Sequence, residues 1–169
     1  MRTKTTGNKL FIYFSPTQPT RESWLKNFRF WKKPYKRMTH KFYVHAGFLQ
    51  RWKKHEEGLA GLIDEDIRAV RITGYSQGGA IAVLAHEWVW FHYPRLRDTL
   101  STKTQGAPRC ISIIRSRAIK ERFEDVTRYE HRGDIVCRLP FAFMLYKHVG
   151  KRTRLGRWTP FFWKAHQQY

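Results

Sequence analysis

Ser76 stands in Gly74-Tyr75-Ser76-Gln77-Gly78, a G-x-S-x-G pattern. That spacing can turn a serine hydroxyl into a nucleophile. The hydroxyl must sit on a cramped bend between a strand and a helix. Gly74 and Gly78 lack the Cβ atoms that would collide where the two elements nearly touch. Val70-Arg71-Ile72-Thr73 alternates in polarity, and Ala80–His86 is a run of helix formers, so strand, turn and helix follow in the required order. Gly79 and Ala80 let the helix pack closely behind. The backbone N–H of Gln77, directly after the serine at the start of that helix, is a natural oxyanion donor. The plainer alternative is an ordinary turn with a surface serine.

Such a serine needs a base in hydrogen-bond reach and an acid to orient the base. Asp134 lies in Arg132-Gly133-Asp134-Ile135-Val136, just past an expected strand over Val126–Glu130. Its apolar followers fit a partly buried carboxylate aimed at a histidine. The alternative is a turn aspartate that satisfies local backbone N–H groups.

The elements that must position these residues alternate along the chain. Lys9–Phe14 reads as a short buried strand, with none ahead of it, and Ser15–Thr20 as a loop. Arg21–Trp31 places Trp24, Leu25, Phe28 and Trp31 on one helical face. It reads as a helix docked on the core, as a mobile lid, or as a surface that touches lipid. A basic loop over Lys32–Lys41 leads to an extended Phe42–His45 and to a helix from Gly47, carrying Phe48, Leu49 and Trp52. Asp64-Glu65-Asp66 reads as a loop or cap before the Ser76 strand. Tyr93-Pro94 ends the next helix. A strand over Leu100–Gln105, a turn at Gly106–Arg109, a helix over Ile111–Phe123, an apolar return over Ile135–Tyr146 and a basic tail over Lys147–Arg157 complete the chain. This pattern gives one α/β domain over residues 1–169 with a mostly parallel sheet. Ligand groups then belong in loops after strand C-termini, where Ser76, Pro108 and Asp134 fall.

Composition narrows the partners. A chain of 169 residues with 41% hydrophobic residues can bury a core, and a net charge of +20 favours polyanions. Nucleic acid fits the charge but is disfavoured, since no zinc-finger spacing, RNP-type signature or basic heptad region accompanies it. Cys110 and Cys137 read as free, reduced thiols. The first seventeen residues hold too few consecutive apolar positions for a signal core or a membrane span. The expectation is a soluble cytoplasmic chain, with export that uses no cleavable signal left open.

Several segments together resemble the class 3, fungal-type lipases of the α/β-hydrolase superfamily. ITGYSQGGAIAVLA is similar to the family's elbow, TKTQGAPR to its glycine- and proline-bearing turn, GDIVCRLPF to its acid-bearing segment, YKHVG to the motif that follows and VHAGFLQRW to the stretch ahead of the elbow. The likeness runs from about Phe11 to the end. It implies an α/β-hydrolase fold with a minimal, mostly parallel central sheet flanked by helices.

The resemblance also implies roles. Ser76 would be the nucleophile, Asp134 the acid, and the base a histidine near the C-terminus. His166 in PFFWKAHQQY is chosen over His148 in YKHVG. His45 is expected to brace the site, and His40, His55, His86, His92 and His131 to pack or face solvent. The second oxyanion donor would come from Phe14-Ser15-Pro16-Thr17, with Thr17 beside Gln77, although the family's Arg-Gly is replaced there by Ser15-Pro16. No metal or organic cofactor is implied. The expected activity is hydrolysis of lipid carboxylic esters, as in triacylglycerol lipases. Two alternatives stay open: a phospholipase A1 at an anionic membrane surface, which the charge favours, and an inactive basic protein that binds nucleic acid or membrane on a hydrolase scaffold. The oligomeric state is not set by the sequence.

Overall fold

The computed structural model describes residues 1–15, 32–35, 42–112, 117–157 and 161–169. Among them the strands are β1 (Arg2–Thr6), β2 (Lys9–Phe14), β3 (Lys32–Tyr35), β4 (Phe42–His45), β5 (Ala69–Tyr75), β6 (Leu100–Gln105), β7 (Ile111–Ser112), β8 (Val126–His131), β9 (Tyr146–Lys147) and β10 (Lys151–Leu155). The helices are α1 (Ala46–Ala60), α2 (Gln77–His92), α3 (Arg117–Glu121) and α4 (Phe162–His166).

The main sheet runs in the order β1-β2-β5-β6-β8-β10. β1 is antiparallel to β2, and every other neighbouring pair is parallel. The C-terminal ends of β2, β5, β6 and β8 therefore share one edge, where the loops after them meet. A smaller antiparallel sheet, β3-β4-β7-β9, brings Phe42, Val44 and Ile111 into the core.

α2 is apolar almost all round, and nearly all of its residues are buried. A helix of that kind belongs inside the protein. It packs on β5, β6 and β2, with α1 against its other side. Leu10, Ile12 and Phe14 from β2, Val70 and Ile72 from β5 and Leu100 from β6 face this side of the sheet and form the core with Trp52 and Trp88. Those two indoles meet edge to face at 5.9 Å.

The structure differs from the sequence expectations in five elements. β2 is half-buried rather than buried: Leu10, Ile12 and Phe14 point in, while Lys9, Phe11 and Tyr13 are exposed. A strand does precede it, because β1 pairs with β2 across the Gly7-Asn8 turn, where Gly7 has φ +56°. The tail past Lys147 is not irregular, since β10 adds to β8 in parallel. β1 and β10 lie at the main sheet's edges and consist mainly of Lys, Arg and Thr. Backbone pairing holds them, and charge is a common way to blunt an edge. The fourth difference is the helix expected over Ile111–Phe123. Ile111–Ser112 is a strand paired with β4 and β9, and among the described residues of that stretch helix is confined to α3. The fifth is the basic loop expected over Lys32–Lys41: its first four residues, Lys32–Tyr35, form the strand β3, held by antiparallel backbone pairing with β4.

Among the described residues no helix is long and apolar enough to cross a membrane. Beneath α2 an ion pair is fully enclosed: Arg122 Nη1 donates to Glu87 Oε1 at 2.8 Å, with both side chains almost wholly buried. Removing one partner of such a pair leaves a buried charge without its counter-ion. Glu87→Gln is expected to cost about 3–5 kcal/mol of unfolding free energy by urea denaturation, and the double change Glu87→Leu/Arg122→Met to recover most of it.

Candidate active site

β5 ends at Tyr75 and α2 begins at Gln77, so Ser76 alone makes the turn. It does so at φ 53°, ψ −125°. A positive φ on a residue with a Cβ stores strain of about 1–3 kcal/mol, which persists only where neighbours over-determine the geometry. Here they do. Ser76 N–H donates to Gln105 O at 2.8 Å, and Gly79 N–H donates to Ser76 O at 2.9 Å. Strand and helix approach so closely that a Cβ on Gly74 would lie 2.3 Å from Gly78 O, and one on Gly78 would lie 2.1 Å from Phe14 O. Both glycines are required by backbone contact.

The Ser76 side chain is packed under an imidazole. His166 Nε2 lies 2.9 Å from Ser76 Oγ, and His166 Nδ1 lies 2.9 Å from Asp134 Oδ2. All three residues are buried, at 4%, 5% and 2% exposure for Ser76, His166 and Asp134. The structure thus brings together the serine, carboxylate and histidine that the sequence singled out, from the ends of β5 and β8 and from α4.

Asp134 is held on several sides. Its Oδ1 accepts from Val136 N–H at 2.8 Å. Its Oδ2 accepts from the Tyr169 hydroxyl at 2.8 Å and from Cys137 Sγ at 3.3 Å, besides facing the imidazole. The Tyr169 hydroxyl oxygen in turn accepts from His131 N–H at 2.6 Å. Burial, with Cys137 and Asp134 adding to it, pushes the Tyr169 phenol well above its ordinary range, so it stays a donor. Burial and then the Asp134 charge likewise push up the Cys137 thiol, which makes it a poor nucleophile. Both cysteines are free and buried.

His166 is positioned from two further sides. The Tyr75 ring stacks on it with centroids 5.2 Å apart, and Tyr75 OH donates to His166 O at 2.5 Å. Opposite, Gly106 leaves room: a Cβ there would lie 2.9 Å from His166 Cε1. No role for Tyr75, Gly106 or Tyr169 follows from the sequence alone, since each acts through a contact far along the chain. The nearest signal was Tyr75 inside the elbow motif itself.

The other expected residues sort as follows. Gln77 opens α2 directly after Ser76, and its side-chain Oε1 accepts from Arg51 Nη1 of α1. Thr17 and the Arg21–Trp31 segment lie outside the described residues, as does His40. His148 does not approach Ser76: its Nε2 donates to Cys137 O at 2.7 Å. Burial and then the Arg128 charge lower its pKa to about 3. His45 caps α1, accepting from Gly47 N–H at 3.2 Å, and packs on Phe48 and Tyr146. His86 is buried between Thr102 Oγ1 and Arg122 O. His131 Nδ1 turns to Arg132 O at 3.0 Å, away from the serine.

The family model for class 3 lipases matches residues 11–144. The chain belongs to the class 3 lipase family. The lipases of Rhizopus niveus and Rhizopus oryzae are each 31% identical to it over 113 residues, which is 63% of this chain and 29% of each relative. Among solved structures, lipase II from Rhizopus niveus aligns with a TM-score of 0.78 at 26% identity, over 88% of this chain and 57% of that one. A triacylglycerol lipase whose catalytic centre is formed by a serine protease triad aligns with a TM-score of 0.74 at 24% identity, over 89% and 58%. The fold is that of the α/β-hydrolases. This lipase-family chain spans under a third of the curated relatives and somewhat over half of these solved structures.

Tyr169 supplies the one hydroxyl that serves both Asp134 and the His131 backbone. Tyr169→Phe removes both bonds, leaving a partly buried N–H unpaired. Chemical denaturation should show a loss of roughly 1–3 kcal/mol.

Proposed function

We propose that this chain carries the hydrolytic centre of a serine esterase acting on carboxylic esters of lipids. The observation that carries this is the unbroken hydrogen-bonded line from Ser76 Oγ through His166 to Asp134, anchored on a strained turn. Membership of a lipase family and the likeness to a triacylglycerol lipase with a serine protease triad support the choice of lipid esters.

In this mechanism Ser76 Oγ attacks the ester carbonyl carbon while His166 Nε2 takes its proton. Asp134 accepts from Nδ1–H, fixes the tautomer and stabilises the imidazolium. The carbonyl oxygen, now negative, is held by Gln77 N–H at the start of α2, with Thr17 as the second donor. The tetrahedral centre collapses, its C–O bond to the leaving alcohol breaks, and His166 returns the proton to that alcohol. Water then attacks the acyl-Ser76 carbonyl, again giving its proton to His166, and the fatty acid leaves as Ser76 is restored. An inactive binding scaffold is less well supported, because nothing but catalysis calls for a strained serine under an oriented imidazole.

Turnover of a soluble glyceride ester tests the assignment. Ser76→Ala and His166→Ala should each lower it by about 10³-fold or more, and Asp134→Asn by about 10³–10⁴-fold, with circular dichroism showing each variant folded. A Ser76→Ala protein that keeps a large share of the parent rate would refute it.

A further inference from the structure

A cavity of about 610 Å³ opens beside the Asp134 loop, and neither Ser76 nor His166 lines it. Its wall is formed by β8, the edge strand β10 and the segment that follows Asp134. Five guanidinium-bearing side chains line it: Arg109, Arg132, Arg138, Arg152 and Arg154. Asp134, also in the wall, is committed to His166, Tyr169 and Val136 N–H. Glu130 is the other carboxylate, and it already pairs with Arg128. Among the described residues, Arg132, Arg138, Arg152 and Arg154 have no carboxylate within ion-pair distance. Arg109 is fixed in place by donating to Arg138 O and Pro140 O. Cations thus outnumber available anions in a concave site, where guanidinium groups suit the oxygens of a phosphate.

The rim of the same cavity is apolar. Phe141 and Phe143 line it, their rings stacked 5.6 Å apart, on a turn that also exposes Leu145. Phe143 is 80% exposed, which costs free energy in water and marks a surface that meets something apolar. A nucleic acid would need a groove that tracks several phosphates. One cationic cavity bordered by a hydrocarbon knob instead fits a single phosphate next to acyl chains.

We propose that this cavity takes the phosphate of an anionic phospholipid while Phe143 and Leu145 enter the acyl layer, so that the protein docks on a membrane by its Asp134 side. The choice of a lipid rests on the lipid-esterase reading above; the cavity and its charge do not.

The test is co-sedimentation of the Ser76→Ala protein, which leaves the lipid unhydrolysed, with vesicles of phosphatidylcholine alone or mixed with phosphatidylglycerol. Binding is expected to the mixed vesicles only. Arg152→Gln/Arg154→Gln should weaken it by about tenfold or more, and Phe143→Ser by about tenfold. Both changes are at exposed positions, and circular dichroism checks their folding. Lys4→Gln/Lys103→Gln removes equal charge on the opposite face of the sheet and should change binding by no more than about twofold. Equal losses from the two charge pairs would overturn the site in favour of diffuse attraction. So would binding to phosphatidylcholine alone, or inorganic phosphate bound at the arginines with no vesicle association. Vesicle binding that persists in a protein whose Ser76-dependent turnover is absent would sink the esterase reading and leave the docking site standing.

Discussion

The turn at Ser76 is the tightest constraint in the molecule. One residue must carry the chain from the end of β5 into the buried helix α2, at a backbone geometry that L-residues avoid. The turn is possible only because Gly74, Gly78 and the Phe14 backbone meet at distances no Cβ would survive. It is kept because α2 is apolar almost all round and is buried among β2, β5, β6 and α1. Core burial thus sustains the strain, and the strain presents a hydroxyl at the edge where the parallel strands end.

The second half of the arrangement is a long return. The chain leaves the sheet after β10 and comes back through α4 to set His166 over Ser76. The imidazole is held between a stacked Tyr75 ring and the bare backbone of Gly106. Tyr169 bonds both Asp134 and the end of β8. The same few side chains therefore close the polypeptide onto its own sheet and orient the imidazole, so local stability and site geometry are coupled.

Much of this was legible from residue types and order. The strand–turn–helix around Ser76, the position of Asp134 past β8 and the limits of β6 follow from polarity period, glycine placement and helix formers, which report on the buried centre of the fold. His166 was legible only through resemblance to a family, because no local pattern ties it to a serine on another element. The edge strands β1 and β10 were not legible: Arg-Thr-Lys-Thr-Thr and Lys-Arg-Thr-Arg-Leu have no apolar alternation, and their pairing is made by backbone groups common to every residue. Ile111 misled for the opposite reason. Its apolar neighbours look helical in isolation, but tertiary pairing with Val44 and Lys147 makes the segment a strand. Tyr75, Gly106 and Tyr169 act through contacts between distant parts of the chain, which spacing in the sequence does not encode.

The charge of the molecule has an address as well as a magnitude. Basic edge strands keep the sheet from pairing with other sheets, while arginines from β10 and from the segment around Asp134 line one cavity. On the proposed mechanism the Ser76 hydroxyl is reactive because His166 is in place to accept its proton. Labelling with a fluorophosphonate, followed by mass mapping of the peptides, tests this most directly. An adduct on Ser76 in the parent protein, lost in His166→Ala, is the predicted result. Adduct on a different serine, or equal labelling of Ser76 with and without the imidazole, would contradict it.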